Sequence, residues 1–187
     1  GCGLMGSGIA QVTAEAGYPV VVREVAKPLL DKGLAGIKKN LDRNVEKGRM
    51  TAEARDKALG NIKGTTTLED LKHCDLVIEA IVENIEEKKQ LFAALDALCP
   101  PHTVLASNTS SCTVIEMAAA TKRMDRVVGM HFFNPVPMMK LVEVVRTIQT
   151  SEATFKAAWD FAKPVGKEPV AAKDTTGFVV NLLLVPY

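Results

Sequence analysis

Short, branched apolar runs alternate along this chain with longer stretches whose apolar residues recur every three to four positions. Val20-Val21-Val22, Leu76-Val77-Ile78-Glu79-Ala80-Ile81, Thr103-Val104-Leu105-Ala106 and the run over 126–133 show no polar alternation. That pattern predicts strands covered on both faces, as in a parallel sheet. Between them, Ile9, Ala10, Val12, Thr13 and Ala16 predict a small-residue helix over 6–16, stopped by Gly17 and Pro19. Leu30, Leu34, Ile37, Leu41 and Val45 predict a helix from Pro28 to Gly48, and Thr51 caps a second one through Leu59. Further helices are expected over 85–98, 114–120 and about 155–161, with a short strand near 169–172. The link from 133 to 141 is too short for a crossover helix, so the strand over 141–145 is expected antiparallel to its predecessor.

Strand and helix in this order predict an α/β, doubly wound, mostly parallel sheet with an inserted helical hairpin and antiparallel strands at the end. The first residues sharpen the prediction. Gly1-Cys2-Gly3-Leu4-Met5-Gly6 opens the first helix, and Glu24 ends the next strand 18 positions after Gly6. Turn, helix, strand and acid together form the dinucleotide fingerprint of a Rossmann-like fold. Gly1 permits the tight turn, Gly3 lets backbone approach a pyrophosphate, and Gly6 allows close packing. Glu24 suits ribose hydroxyls and repels a 2′-phosphate, favouring NAD over NADP, while Arg23 is expected on the opposite strand face. Such a loop leaves a buried central strand, so apolar residues are expected before Gly1. The apolar residues at 177–187 read as the opening of a helix belonging to a further domain.

Composition narrows the class. With 187 residues, 47% of them hydrophobic, and a net charge of +1, the chain can bury one sizeable core and shows no nucleic-acid signature. No apolar run approaches the ~20 residues of a membrane span, and no signal peptide is evident. A soluble, intracellular protein is expected, cytoplasmic in a bacterium or in the mitochondrial matrix. Cys2, Cys74, Cys99 and Cys112 are scattered, which argues against a zinc site or a disulfide framework.

Three residue types point to acid/base chemistry. His131 comes late in its strand, where the ligand cleft of an open sheet lies. Glu143 is flanked by valines, a costly place for a carboxylate unless it is paired, and the 134–137 turn brings it back beside His131. Ser107-Asn108-Thr109-Ser110-Ser111 follows a buried strand and carries more hydroxyls than helix capping needs, leaving Ser110 free to donate to an oxygen. The basic residues Lys38, Lys39, Arg43 and Lys47 read from pattern alone as a solvated helix face.

In order and spacing, the segments from Gly1 to Gln11, from Ser107 to Ser111 and from His131 to Glu143 match known signatures. Over essentially its whole length the chain resembles the NAD-dependent L-3-hydroxyacyl-CoA dehydrogenase family, in its monofunctional short-chain type. The resemblance implies an NAD-binding domain over 1–174 and, over 175–187, the start of a helical domain that makes a homodimer. It implies His131 as general base, Glu143 as its orienting carboxylate, and Ser110 and Asn181 on the reacting oxygen. For the cofactor it implies Gly1, Gly3, Leu4, Met5, Gly6, Glu24, Glu83, Lys88 and Asn108; for the acyl-CoA substrate, Ser110, Asn134, Lys47 and Asn40. Thr176 and Leu182 depart from the family's proline and arginine. Fatty acid β-oxidation, aromatic-acid catabolism or butyrate formation could employ such an enzyme. Two alternatives stay open: a relative acting on a sugar acid such as gulonate, and an NAD-binding structural protein without turnover.

Overall fold

Branched runs hidden on both faces need neighbours on both sides, and the computed structural model, which describes residues 1–184, supplies them. Its elements run α1 (Leu4–Glu15), β1 (Val20–Arg23), α2 (Lys27–Glu46), α3 (Ala52–Gly60), β2 (Ile62–Thr65), β3 (Leu76–Glu79), α4 (Ile85–Leu98), β4 (Val104–Ser107), α5 (Val114–Ala119), β5 (Val127–Phe132), β6 (Leu141–Arg146), α6 (Glu152–Ala162), β7 (Glu168–Lys173) and α7 (Val180–Leu184). Strands β3, β4 and β5 are parallel, β6 is antiparallel to β5, and β7 runs parallel to β6. This is a Rossmann-like α/β architecture with a mostly parallel sheet. The last three of the residues expected to open a further helix lie outside the described ones.

Successive residues of the central strands point to opposite layers. Val104, Ala106, Val128, Met130, Val142 and Val144 pack with Ile9 and Val12 of α1 and Ala158 and Ala162 of α6. Leu105, Val127 and Val145 face the other way, against Phe92 and Leu95 of α4 and Val114 and Met117 of α5. A third cluster joins Ala10 and Ala14 of α1 to Val22, Leu30, Ile37, Leu41 and Ala58, seating the α2–α3 hairpin. The Thr51 hydroxyl accepts from the Ala54 amide at 3.2 Å, capping α3 as expected.

Three features differ from the sequence expectation. The α2–α3 hairpin leads into a strand that the pattern did not predict, β2, which pairs parallel with β1 in register Val20↔Ile62 through Arg23↔Thr65. Its four residues, Ile62-Lys63-Gly64-Thr65, offer one strongly apolar side chain and a glycine. Strand β7 is a full six residues rather than a short closing piece. Helix α1 begins at Leu4, two positions before the expected start.

The two-stranded β1–β2 sheet and the five-stranded sheet are not hydrogen-bonded to each other. Between β1 and β3 lies a cavity of about 510 Å³, lined by Val20, Val22, Leu76, Ile78, Ile9 and Phe161 among others. Among the described residues no helix is long and apolar enough to cross a membrane, and the four cysteines are free thiols.

Phe92 has no exposed surface and joins α4 to the sheet's α5 side. Phe92→Ala should therefore lower unfolding free energy by about 3–5 kcal/mol, read from the chemical denaturation midpoint. A loss under about 1 kcal/mol would contradict this packing.

Candidate active site

A cleft of about 930 Å³ opens at the carboxyl ends of the parallel strands, the place where open α/β sheets bind ligands. Gly1, Gly3, Leu4, Met5 and Glu24 line one end. Asn108, Ser110, His131, Asn134 and Asn181 line the other, with Glu83 also on its wall.

At the second end, antiparallel pairing sets His131 directly opposite Glu143. Their side chains meet at 2.6 Å, Nδ1 to Oε2, with Glu143 fully buried and the imidazole 8% exposed. An ionised carboxylate only accepts, so Nδ1 carries the proton and Nε2 is the accepting nitrogen of the neutral ring. The other Glu143 oxygen, Oε1, accepts the amides of Val179 at 3.0 Å and Val180 at 2.9 Å. Phe133 and Phe178 pack on the imidazole with ring centroids 4.5 and 5.6 Å away. Phe178 does so from a left-handed φ of 49°, a conformation a bulky residue adopts only under tertiary constraint.

The Ser110 loop is held from below. Glu83 Oε1 accepts the amides of Ser110 at 2.9 Å and Ser111 at 3.1 Å, together with the hydroxyls of Ser111 and Thr109. Burial opposes the Glu83 charge, but the Thr109 hydroxyl, the Ser110 amide and the Lys88 ammonium outweigh it, and its carboxyl is pushed down to about 2. Lys88 is 1% exposed and sits between Glu83, at 3.1 Å, and Glu79, at 2.7 Å. The Asn181 amide donates to the Ser110 carbonyl at 3.4 Å, joining α7 to the loop. Asn108 Oδ1 accepts the Phe132 amide at 2.9 Å, tying the end of β4 to β5.

At the first end, α1 starts with no side-chain cap and no acidic residue in its first turn. Its free amides and positive dipole end face the cleft. A Cβ on Gly3 would meet nothing within 4 Å, whereas one on Gly6 would fall 2.0 Å from the Gly1 carbonyl. Gly6 is thus required by packing, and Gly3 leaves open space for a ligand's approach. Glu24 accepts the amides of Cys2 at 2.8 Å and Val25 at 2.7 Å. Burial works against its charge, yet these amides keep its carboxyl below the ordinary range. An uncapped helix end beside a carboxylate at a strand terminus fits the pyrophosphate and ribose of a dinucleotide.

Not every expected residue reaches the cleft. Lys88 lies beneath its wall. Asn40, on the exposed surface of α2, and Lys47, exposed just past its end, do not line the cleft, and the Asn40 amide faces Gln11 Oε1 at 3.5 Å. Arg23 borders both cavities instead of pointing wholly away from the cleft, and its buried Nε has no hydrogen-bond partner among the described residues.

Sequence reasoning missed Glu79, Phe178 and Asp174. Asp174 reaches back across the fold to cap α5, its two oxygens accepting the amides of Val114 at 2.8 Å and Ile115 at 2.7 Å. Glu79 carried the signal that identified Glu143, an acid within an apolar run.

A family model described as 3-hydroxyacyl-CoA dehydrogenase, NAD binding domain, matches residues 1–175. The probable 3-hydroxybutyryl-CoA dehydrogenase of Bacillus subtilis (strain 168) is 48% identical over 186 residues, covering 100% of this chain and 65% of the relative. The crystal structure of M. tuberculosis FadB2 superposes with a TM-score of 0.98 at 51% identity, covering 100% of this chain and 66% of that one. That of (S)-3-hydroxybutyryl-CoA dehydrogenase PaaH1 from Ralstonia eutropha gives 0.97 at 44%, with 100% and 66% covered. The chain thus spans slightly less than two thirds of these relatives' length.

The depressed Glu83 pKa has a definite sign in stability. Its contribution is fully present above the ordinary carboxylate value of 4.5 and is lost as pH falls from there towards about 2. The parent should melt a few degrees above Glu83→Gln at neutral pH, a modest gap because the side chain is 37% exposed. Thermal melts across that window should show the gap closing; a gap independent of pH would contradict the assignment.

Proposed function

Because the chain belongs to the 3-hydroxyacyl-CoA dehydrogenase family, whose NAD-binding domain it carries, we propose that the protein interconverts L-3-hydroxyacyl-CoA and 3-oxoacyl-CoA, with His131 and Glu143 as its acid/base pair. One observation carries this reading. The His131 imidazole is held by Glu143 at 2.6 Å through Nδ1 and lines the same cleft as Ser110 and Asn181.

In the oxidative direction, His131 Nε2 takes the proton of the 3-hydroxyl. Glu143 keeps the ring in the required tautomer and stabilises the imidazolium that forms. The Ser110 hydroxyl and the Asn181 amide donate to the reacting oxygen and oppose its drift from the ring. In reduction the imidazolium returns the proton to the 3-keto oxygen while the same donors polarise it. The glycine loop, Glu24, Glu83 and Asn108, which line the cleft, would hold NAD, whose nicotinamide would take up or give back the hydride of C3. The phenylalanines on the imidazole exclude water from one side of the ring, which strengthens its interaction with Glu143.

The α2–α3 hairpin bears Asn40 and Lys47, and a coenzyme A chain laid along that helix would meet them. Dimerisation through a helical domain, and a place in β-oxidation or short-chain acyl-CoA metabolism, belong to the same reading. A cytoplasmic or mitochondrial-matrix location fits it as well.

His131→Ala in the full-length protein should reduce acetoacetyl-CoA about 10²–10⁴-fold more slowly than the parent, followed by NADH absorbance, with NADH affinity unchanged. Parental turnover would refute the assignment. Gly3→Val, which fills the open space before α1, should instead weaken NADH binding at least about tenfold by fluorescence titration. Activity on gulonate with none on acetoacetyl-CoA would point to the sugar-acid relatives instead.

A further inference from the structure

Two acids in this sheet sit among branched apolar neighbours at the ligand-binding edge, and each bonds the residue opposite it in register. Glu143 faces His131 across β5 and β6. Glu79 faces Ser107 across β3 and β4. The first pair builds one half of the site, and we propose that the second builds the other, with Glu79 as the positioning residue that holds Ser110 against the reacting oxygen. This rests on the assignment of Ser110 to that oxygen.

Glu79 is 2% exposed, and both of its oxygens are engaged. Oε1 accepts Lys88 Nζ at 2.7 Å and the Ile81 amide at 2.6 Å, and Oε2 accepts the Ser107 hydroxyl at 2.6 Å. Two arms leave this carboxylate and converge on the same loop. In one, a pure acceptor forces the Ser107 hydroxyl to donate towards it, which turns an oxygen lone pair to the Thr109 amide at 3.1 Å. In the other, Lys88 carries a second N–H to Glu83, whose Oε1 accepts the Ser110 and Ser111 amides. The loop has no helix or strand of its own between β4 and α5, so its shape depends on these bonds.

Apolar residues of similar volume would fill the space of a buried Glu79–Lys88 pair without desolvating two charges, so stability alone does not account for it. The polarity of the bonds does. A glutamine at 79 keeps the shape but presents an amide N–H₂ to one side, and Lys88 still retains Glu83 as counter-charge. Glu79→Gln therefore loosens the loop while leaving the fold intact.

The test compares Glu79→Gln, Ser110→Ala and the double variant in the full-length protein. Glu79→Gln should lower kcat for acetoacetyl-CoA reduction about ten- to a hundredfold, the scale of a misplaced reacting group. NADH affinity and the pH profile of kcat should stay parental. The double variant should be no slower than Ser110→Ala alone, because a residue that acts through Ser110 has nothing left to position. Parental kcat in folded Glu79→Gln, or a loss that multiplies fully with that of Ser110→Ala, would overturn the proposal while leaving the role of Ser110 standing. Parental kcat in Ser110→Ala would remove that role and the proposal with it. Should Glu79→Gln fail to fold, Ser107→Ala breaks one arm without touching the ion pair. It should show the same pattern, and parental kcat there would decide against the proposal.

Discussion

A carboxylate buried among valines has to be met by donors, and the rest of this site is arranged around how Glu143 is met. One oxygen receives the His131 ring and the other receives two backbone amides from the segment leading into α7. Nothing else about the site is equally demanding. The antiparallel register of β5 and β6 puts acid opposite imidazole, and a slip of one residue would set Val142 or Val144 there and turn the acid to the other face.

The doubly wound layering explains why such polar contacts survive beneath a hydrophobic sheet. Helices α1 and α6 seal one face and α4 and α5 the other, so β4, β5 and β6 are buried along most of their length while the cleft opens at the carboxyl ends of the parallel strands. Charges placed at those ends are shielded from bulk water on one side and open to the cleft on the other. There, hydrogen bonds are stronger and unpaired groups more costly than on the surface. Glu79, Glu83, Glu143 and Lys88 all stand in that zone, and each has a partner.

Much of this was legible in the chain itself, because strands covered on both faces write their burial as unbroken apolar runs. Strand β2 was not, since Ile62-Lys63-Gly64-Thr65 takes its form from β1 beside it and from the hairpin before it, not from its own pattern. Arg23 defeated simple alternation because it is the last residue of a four-residue strand, where the pleat no longer dictates direction. Within the site, the argument from a costly buried acid led to the His131–Glu143 geometry; applied to Glu79 it would have reached Ser107 as well. The Glu83 contacts were beyond reach, because they join residues 26 to 28 positions apart that the parallel pairing of β3 with β4 brings together.

Asp174 gives the molecule a mechanical property. Its carboxylate grips the first amides of α5, and its own amide bonds the Arg146 carbonyl at 3.2 Å as the chain leaves β7. The segment leading towards Asn181 and the helix that follows the Ser110 loop are therefore riveted to one bracket. Ser110 and Asn181 hang from it like two jaws on a common pivot, though 71 positions separate them along the chain. The root of α5 and the exit of β7 thus share one anchor, and the loss of that single carboxylate would free both at once.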